Sequence, residues 1–295
     1  MELPPLDARL LPVLETAEVW VALDKAIAPP KAAIELFAGN DLSGPLLAGV
    51  SASLGEWQGQ AVELYSARGD VCTGRLDRGA VAVLVQWPGP EGALPAGCTE
   101  LSRCRDVVAA NVWKAGGKPL LVARVVTESK CAAPHWARAA RFGEHELVFA
   151  RAVDDEHLAN LAIGQFRRRA GWAAMQDRWL SSVRPLDSTE WDTSAGGSPE
   201  VARFVRPDGG DILTVSGTYD RPCDASFQGS FSATFRVGEG LSGVLSPLSE
   251  SRTSWPGFAP LLYIVGTPDL FGGAGVVTLP NGGVLDARPG QIGGC

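Results

Sequence analysis

Two groups of side chains in this sequence have the types that do chemistry. Cys131 lies four residues before His135, and a thiol beside an imidazole is the pairing that makes a nucleophilic thiolate. His145 sits between Glu144 and Glu146, and His157 follows Asp154, Asp155 and Glu156. If the segment around Glu146 lies beside the residues after Asp154, then His145, His157, Asp154 and Glu156 form a donor set that a divalent cation accepts. Each group also has a plainer use. A loop cysteine serves a disulfide, and carboxylates ahead of a helix cap it and complement its dipole. The chain contains no His-Glu-x-x-His, EF-hand spacing, Cys-x-x-Cys or Gly-x-Ser-x-Gly, and no P-loop surrounds Gly117-Lys118. No catalytic residue, metal or other cofactor is therefore assigned from motifs.

Three further patterns resolve into turns and surface. Gly238-Glu239-Gly240-Leu241-Ser242-Gly243 matches the dinucleotide fingerprint, but Val244-Leu245-Ser246-Pro247 does not start a helix, so a hairpin turn is expected. Arg68-Gly69-Asp70 resembles the integrin-recognition tripeptide, yet a glycine at positive φ between polar residues is what a tight hairpin needs. Arg167-Arg168-Arg169 spreads around a helix and reads as solvated surface. Of the nine tryptophans, Trp172 and Trp179 have the spacing of core positions. Trp191 and Trp255 lie in polar loops, where an aromatic platform is open to a ligand.

The cysteines bear on compartment through their positions. Cys98 follows Pro95-Ala96-Gly97, Cys104 lies between two arginines, Cys131 follows Glu128-Ser129-Lys130, Cys223 lies between Pro222 and Asp224, and Cys295 ends a Gly-Gly tail. Exposed thiols in such settings oxidise, and pairing removes the problem. Proximity favours Cys98 with Cys104. Cys72–Cys131 and Cys223–Cys295 complete one of the many pairings that six cysteines allow.

The elements that position these residues follow from periodicity. An arm or short helix interrupted by Pro12 is expected over 6–15, then β-prone runs at 18–23 and 33–38, and a hairpin over 58–76 with Arg68-Gly69-Asp70 at its turn. The apolar run 80–87 reads as a buried strand, 105–114 as a short helix, and 119–126 and 146–153 as strands. Asp154-Asp155-Glu156 caps a helical pattern through Leu158, Leu161, Ala162 and Phe166 that resumes at Trp172, as one kinked helix or two consecutive ones. Beyond a polar linker at 184–199, short strands are separated by Gly, Pro, Asn and Asp clusters. The expected fold is α+β, with a β-rich mixed domain over 1–153, a connecting helix over 154–183 and an antiparallel β-meander or sandwich over 200–295.

Composition narrows function. The 295 residues are enough to bury a core without metals. The formal net charge of -7 opposes nonspecific attraction to nucleic acid or anionic membrane. No run approaches the roughly 20 apolar residues of a bilayer span. The opening Met-Glu-Leu-Pro-Pro-Leu-Asp has no secretory n-region or h-region, so an exported chain is expected to have lost its leader ahead of Met1.

The stretches 62–72, from Val62-Glu63-Leu64-Tyr65 to Val71-Cys72, and 204–237, with Cys223 inside it, resemble uncharacterised exported or lipoprotein-like proteins of myxobacteria-type genomes. Some of those end in an Asp-rich, calcium-loop-like repeat, whereas Thr267-Pro268-Asp269-Leu270-Phe271-Gly272-Gly273 lacks the acids for one. The resemblance implies export and carries no activity. The expected protein is a non-enzymatic periplasmic or surface protein that binds a protein or glycan. The alternatives are a hydrolase or metal-dependent enzyme whose site assembles only in three dimensions, and a structural assembly subunit.

Overall fold

A computed structural model describes residues 10–27, 33–38, 45–86, 98, 100–115, 118–140, 147–182, 199–205, 210–220, 228–238, 245–253, 262–264, 271–273, 275–278 and 284–291. The fold is α+β and β-rich, and the chain divides into two compact units, Met1–His145 with Gly275–Gly294, and Glu146–Ala274 with Cys295.

The first unit is built on strands β1 (Leu11–Leu14), β2 (Trp20–Lys25), β3 (Glu35–Ala38), β4 (Pro45–Ala52), β5 (Ala61–Tyr65), β6 (Val71–Gln86), β7 (Leu120–Thr127) and β8 (Trp136–Ala139). β6 pairs with both β5 and β7, β5 with β8, β8 with β1, β1 with β2, and β2 with β7. These six antiparallel pairings close a barrel and leave its strands no free edge. Alternate residues fill it. Leu11 and Val13, Val21 and Leu23, Val62 and Leu64, Leu121, Ala123 and Val125, and Ala137 and Ala139 form one buried cluster with Leu76, as the two-residue period of a strand requires. Leu54 and Trp57, from the turn that precedes β5, pack into the same cluster.

The segment around Pro12 is a barrel strand, not the arm or helix expected from the proline. Pro12 lies opposite Trp136, and the ladder is carried by its neighbour, where the Val13 N–H donates to the His135 carbonyl at 2.9 Å. The expected hairpin forms between β5 and β6, and its second arm runs on into the buried apolar run as a single 16-residue strand. Its register against β7 slips by one residue between Leu76 and Gly79, so Asp77 and Arg78 occupy a bulge. A Cβ on Gly79 would lie 2.7 Å from the Ala52 carbonyl oxygen, so only glycine fits there. Past the bulge, β6 leaves β5 and takes β4 as its neighbour, and β3 extends the sheet beyond β4.

Helix α1 (Leu101–Ala115) sets Val108, Ala109 and Val112 against Leu36, Leu46, Ala48, Val83 and Val85. Strands β17 (Val276–Thr278) and β18 (Val284–Asp286) return to this unit, where Leu285 and Ala287 join Leu14, Trp20 and Val122 on the outer side of the barrel wall. β19 (Gly290–Gln291) pairs in parallel with the end of β6. Several walls are thus buried on both faces, which is why their runs read as apolar without alternation.

The second unit contains strands β9 (Leu147–Phe149) and β10 (Arg151–Ala152), helices α2 (Glu156–Arg167) and α3 (Ala170–Ser182), and strands β11 (Glu200–Phe204), β12 (Ile212–Asp220), β13 (Gln228–Val237), β14 (Leu245–Thr253), β15 (Leu262–Ile264) and β16 (Phe271–Gly273). β10 to β14 form a sheet in chain order, an antiparallel meander. The helices at 154–183 pack onto it. Leu158, Ala162, Phe166 and Trp172 bury against Leu213, Val215, Phe231, Ala233 and Phe235, with ring centroids 4.6 Å apart for Phe166–Trp172 and 5.2 Å for Phe166–Phe231. Val148 of β9, which pairs with β15, buries with Phe204 and Ile212.

Candidate functional site

Cys131 follows β7, and its sulfur is joined to Cys72 at the start of β6, with Cα atoms 5.8 Å apart. A sulfur in a disulfide is not the thiolate that pairing with His135 would need. His135 sits between two ladder contacts instead. Its N–H donates to the Tyr65 carbonyl at 2.8 Å, its carbonyl accepts from Val13, and its ring lies 5.6 Å from that of Trp136. The disulfide packs against the barrel core, and beside it Thr73 Oγ1 donates to Glu128 at 3.0 Å.

Cys98 is joined to Cys104, Cα to Cα 5.9 Å, which ties the residues ahead of α1 to its first turns. Cys104 has φ -122° and ψ 15°, so the helix kinks there. Cys223 and Cys295 lie outside the described residues, as do His145, Glu146, Trp191, Trp255 and most of Gly238–Gly243.

Asp155 caps α2, its Oδ1 accepting the Leu158 N–H at 3.0 Å, and Glu156 lies in the first turn. His157 is exposed. Among the described residues no three His, Cys, Asp or Glu side chains come together as a metal site. The arginine triplet straddles the end of α2, and Arg169 sets its guanidinium 5.3 Å from the Phe235 ring. Arg68-Gly69-Asp70 forms the tip between β5 and β6, with Gly69 at φ 89° and the Ser66 hydroxyl donating to the Asp70 carboxylate at 3.0 Å. The chain matches no model of a known protein family, no curated protein and no solved structure.

Two arrangements stand out that motif reading passes over. Glu63 of β5 pairs with Arg138 of β8, and Tyr65 with Trp136, on the outer side of the barrel wall. Arg138 is only 1% exposed. Its Nη2 donates to the Tyr65 hydroxyl at 3.1 Å and lies 4.0 Å from Glu63 Oε2, while Tyr65 donates to Glu63. The Tyr65 pKa is pushed up to about 12, chiefly by burial and further by the hydrogen bond to Glu63, with the Arg138 cation opposing both. At neutral pH the phenol keeps its proton, so the triad is a hydrogen-bonded strut and a poor general base. The Glu63 and Tyr65 alternation with Val62 and Leu64 marks these residues as sharing a face. Their burial depends on what the barrel wall packs against.

The second arrangement is a strip of hydroxyls. On the face of β12 and β13 away from α2 and α3, Thr214 is paired with Thr234 and Ser216 with Ser232, and all four are buried. Thr214, 1% exposed, has no hydrogen-bond partner for its Oγ1 among the described residues. An antiparallel sheet with helices on one face ordinarily turns its polar face to water. Here the hydroxyls are enclosed.

Proposed function

We propose that this chain is an exported, non-enzymatic binding protein of the periplasm or cell surface whose C-terminal β-rich unit recognises a glycan or protein. The hydroxyl strip over Thr214, Ser216, Ser232 and Thr234 carries the reading and favours the glycan. A hydroxyl both donates and accepts, so a planar row of them matches the alternating hydroxyls of a sugar, and the Thr214 hydroxyl has no partner among the described residues. Export is supported by the two disulfides and by the resemblance to exported proteins. Among the described residues no helix is long and apolar enough to cross a membrane.

The strip is enclosed in the free chain, so a ligand reaches it by local opening, and binding should alter hydrogen exchange across β12 and β13. The test is retention of the full chain on a panel of immobilised neutral oligosaccharides, beside a Ser216→Ala/Ser232→Ala variant. Retention of the native chain, weakened about ten-fold in the variant, supports the reading. Failure to retain any saccharide, or equal retention of both proteins, overturns it.

A further inference from the structure

Ser66 organises the tip between β5 and β6 through one buried hydroxyl. Its Oγ accepts the backbone N–H groups of Arg68 and Asp70, each at 3.1 Å, and donates to Asp70 Oδ2 at 3.0 Å. Two backbone bonds close the same loop, from the Ser66 N–H to the Asp70 carbonyl at 2.9 Å and from the Gly69 N–H to the Ser66 carbonyl at 3.1 Å. Gly69, at φ 89°, is the left-handed residue that lets the chain reverse in so short a loop. Below the tip, Tyr65 pairs with Val71 and Leu64 with Cys72, and the Cys72–Cys131 bond fastens the second arm to the loop after β7. The conformation from Ser66 to Asp70 is thus set before any partner arrives.

This frame presents charges that the fold does not use. Arg68 and Asp70 are exposed, and both strands of the hairpin and the loop beside its tip are among the described residues. Within the chain the Arg68 guanidinium has no hydrogen bond or ion pair, not even with Asp70, and Asp70 Oδ1 has no partner. A tight turn needs Gly69 and gains from Ser66, but it has no use for an unpaired cation and an unpaired carboxylate oxygen two residues apart. Val71, 55% exposed, adds apolar area beside the carboxylate.

A free carboxylate oxygen is a ligand for a hard divalent cation, and a guanidinium fits an acidic recess. One carboxylate does not hold such a cation alone, and among the described residues no cluster of three His, Cys, Asp or Glu side chains surrounds Asp70. The cation therefore belongs to the partner. We propose that the β5–β6 tip is a docking site for a cell-surface receptor of the integrin type, one that carries a divalent cation for the Asp70 carboxylate and an acidic recess for the Arg68 guanidinium. The tip rests on the same reading of export as the proposed function and is independent of the glycan, since it lies in the other compact unit.

Surface plasmon resonance of the purified full chain over immobilised integrin ectodomains that read Arg-Gly-Asp, in manganese buffer, tests the docking site. The native chain should bind, and EDTA should abolish binding. Asp70→Glu and Arg68→Ala should each weaken it about fifty-fold. Ser66→Ala leaves the tripeptide intact but frees its backbone, and should weaken binding about five-fold. Ser216→Ala/Ser232→Ala should bind the receptor as the parent does, which separates this site from the hydroxyl strip. Circular dichroism of each variant distinguishes lost recognition from lost folding. No binding by the native chain, binding that survives EDTA, or binding indifferent to Asp70→Glu or to Ser66→Ala overturns the proposal.

Discussion

The Arg138 guanidinium lies 3.1 Å from the Tyr65 hydroxyl across the β5–β8 ladder, in a place where arginine is 1% exposed. A buried cation is costly unless hydrogen-bonded and paired. Here the Tyr65 oxygen links it to Glu63.

That linkage fixes a pH dependence. The folded-state pKa of Tyr65 is about 12 against an ordinary 10.0. Between these values the unfolded chain gives up the tyrosine proton and the folded chain keeps it, so stability falls as pH rises. The contribution is complete below pH 10 and gone above 12. Urea unfolding across this range should show the decline, and Tyr65→Phe should remove it. At neutral pH that variant should lose about 1–3 kcal/mol, because Arg138 and Glu63 each lose a partner.

Removing the Cys72–Cys131 bond tests the barrel. It joins residues 59 apart, a loop for which chain entropy gives roughly 4 kcal/mol. A Cys72→Ala/Cys131→Ala variant should unfold at markedly lower denaturant than the parent. Loss of Cys98–Cys104, across six residues, should cost about 2 kcal/mol. Intact mass after alkylation, with and without reductant, counts free thiols in natively isolated protein. Six free thiols would contradict both bonds and the export reading.

Thr214→Val replaces an enclosed hydroxyl that has no hydrogen-bond partner among the described residues by a methyl group of the same shape. A gain of about 1 kcal/mol in thermal or urea unfolding is expected. If the strip binds sugar, the same variant should bind it less well, stability and recognition moving in opposite directions.

Asp155→Ala should cost about 1 kcal/mol through loss of the cap on Leu158. His157→Ala should be close to silent, since His157 is exposed beyond that cap. Equal losses from both changes would show that His157 has a role the cap does not explain.

Much of the framework is legible in local chemistry. Gly69 between Arg68 and Asp70 predicts a hairpin tip and adopts the positive φ such a tip requires. Asp155 ahead of Leu158, Ala162 and Phe166 predicts a capped amphipathic helix. The β-rich α+β class, the meander from β11 to β14, and the pairings Cys98–Cys104 and Cys72–Cys131 agree with expectation. Apart from Cys72–Cys131, whose cysteines lie 59 residues apart, these features rest largely on neighbours within a turn or a hairpin, where residue type acts directly on the backbone.

Tertiary structure decided the rest because it depends on pairings between distant residues. Nothing local to Pro12 tells that its segment closes a barrel between β2 and β8. Nothing local to Asp77 and Arg78 tells that a bulge fuses a hairpin strand with the apolar run after it. Arg138, 73 residues from Tyr65, reads from its own surroundings as an ordinary surface arginine. Thr214, Ser216, Ser232 and Thr234 read as the wet side of a sheet, and their enclosure is a property of the packed unit. Sequence determined which groups alternate and which turns they make. Only the fold determined which alternating face was taken out of water, and desolvation is what turns an ordinary tyrosine or threonine into one whose hydrogen bonds matter.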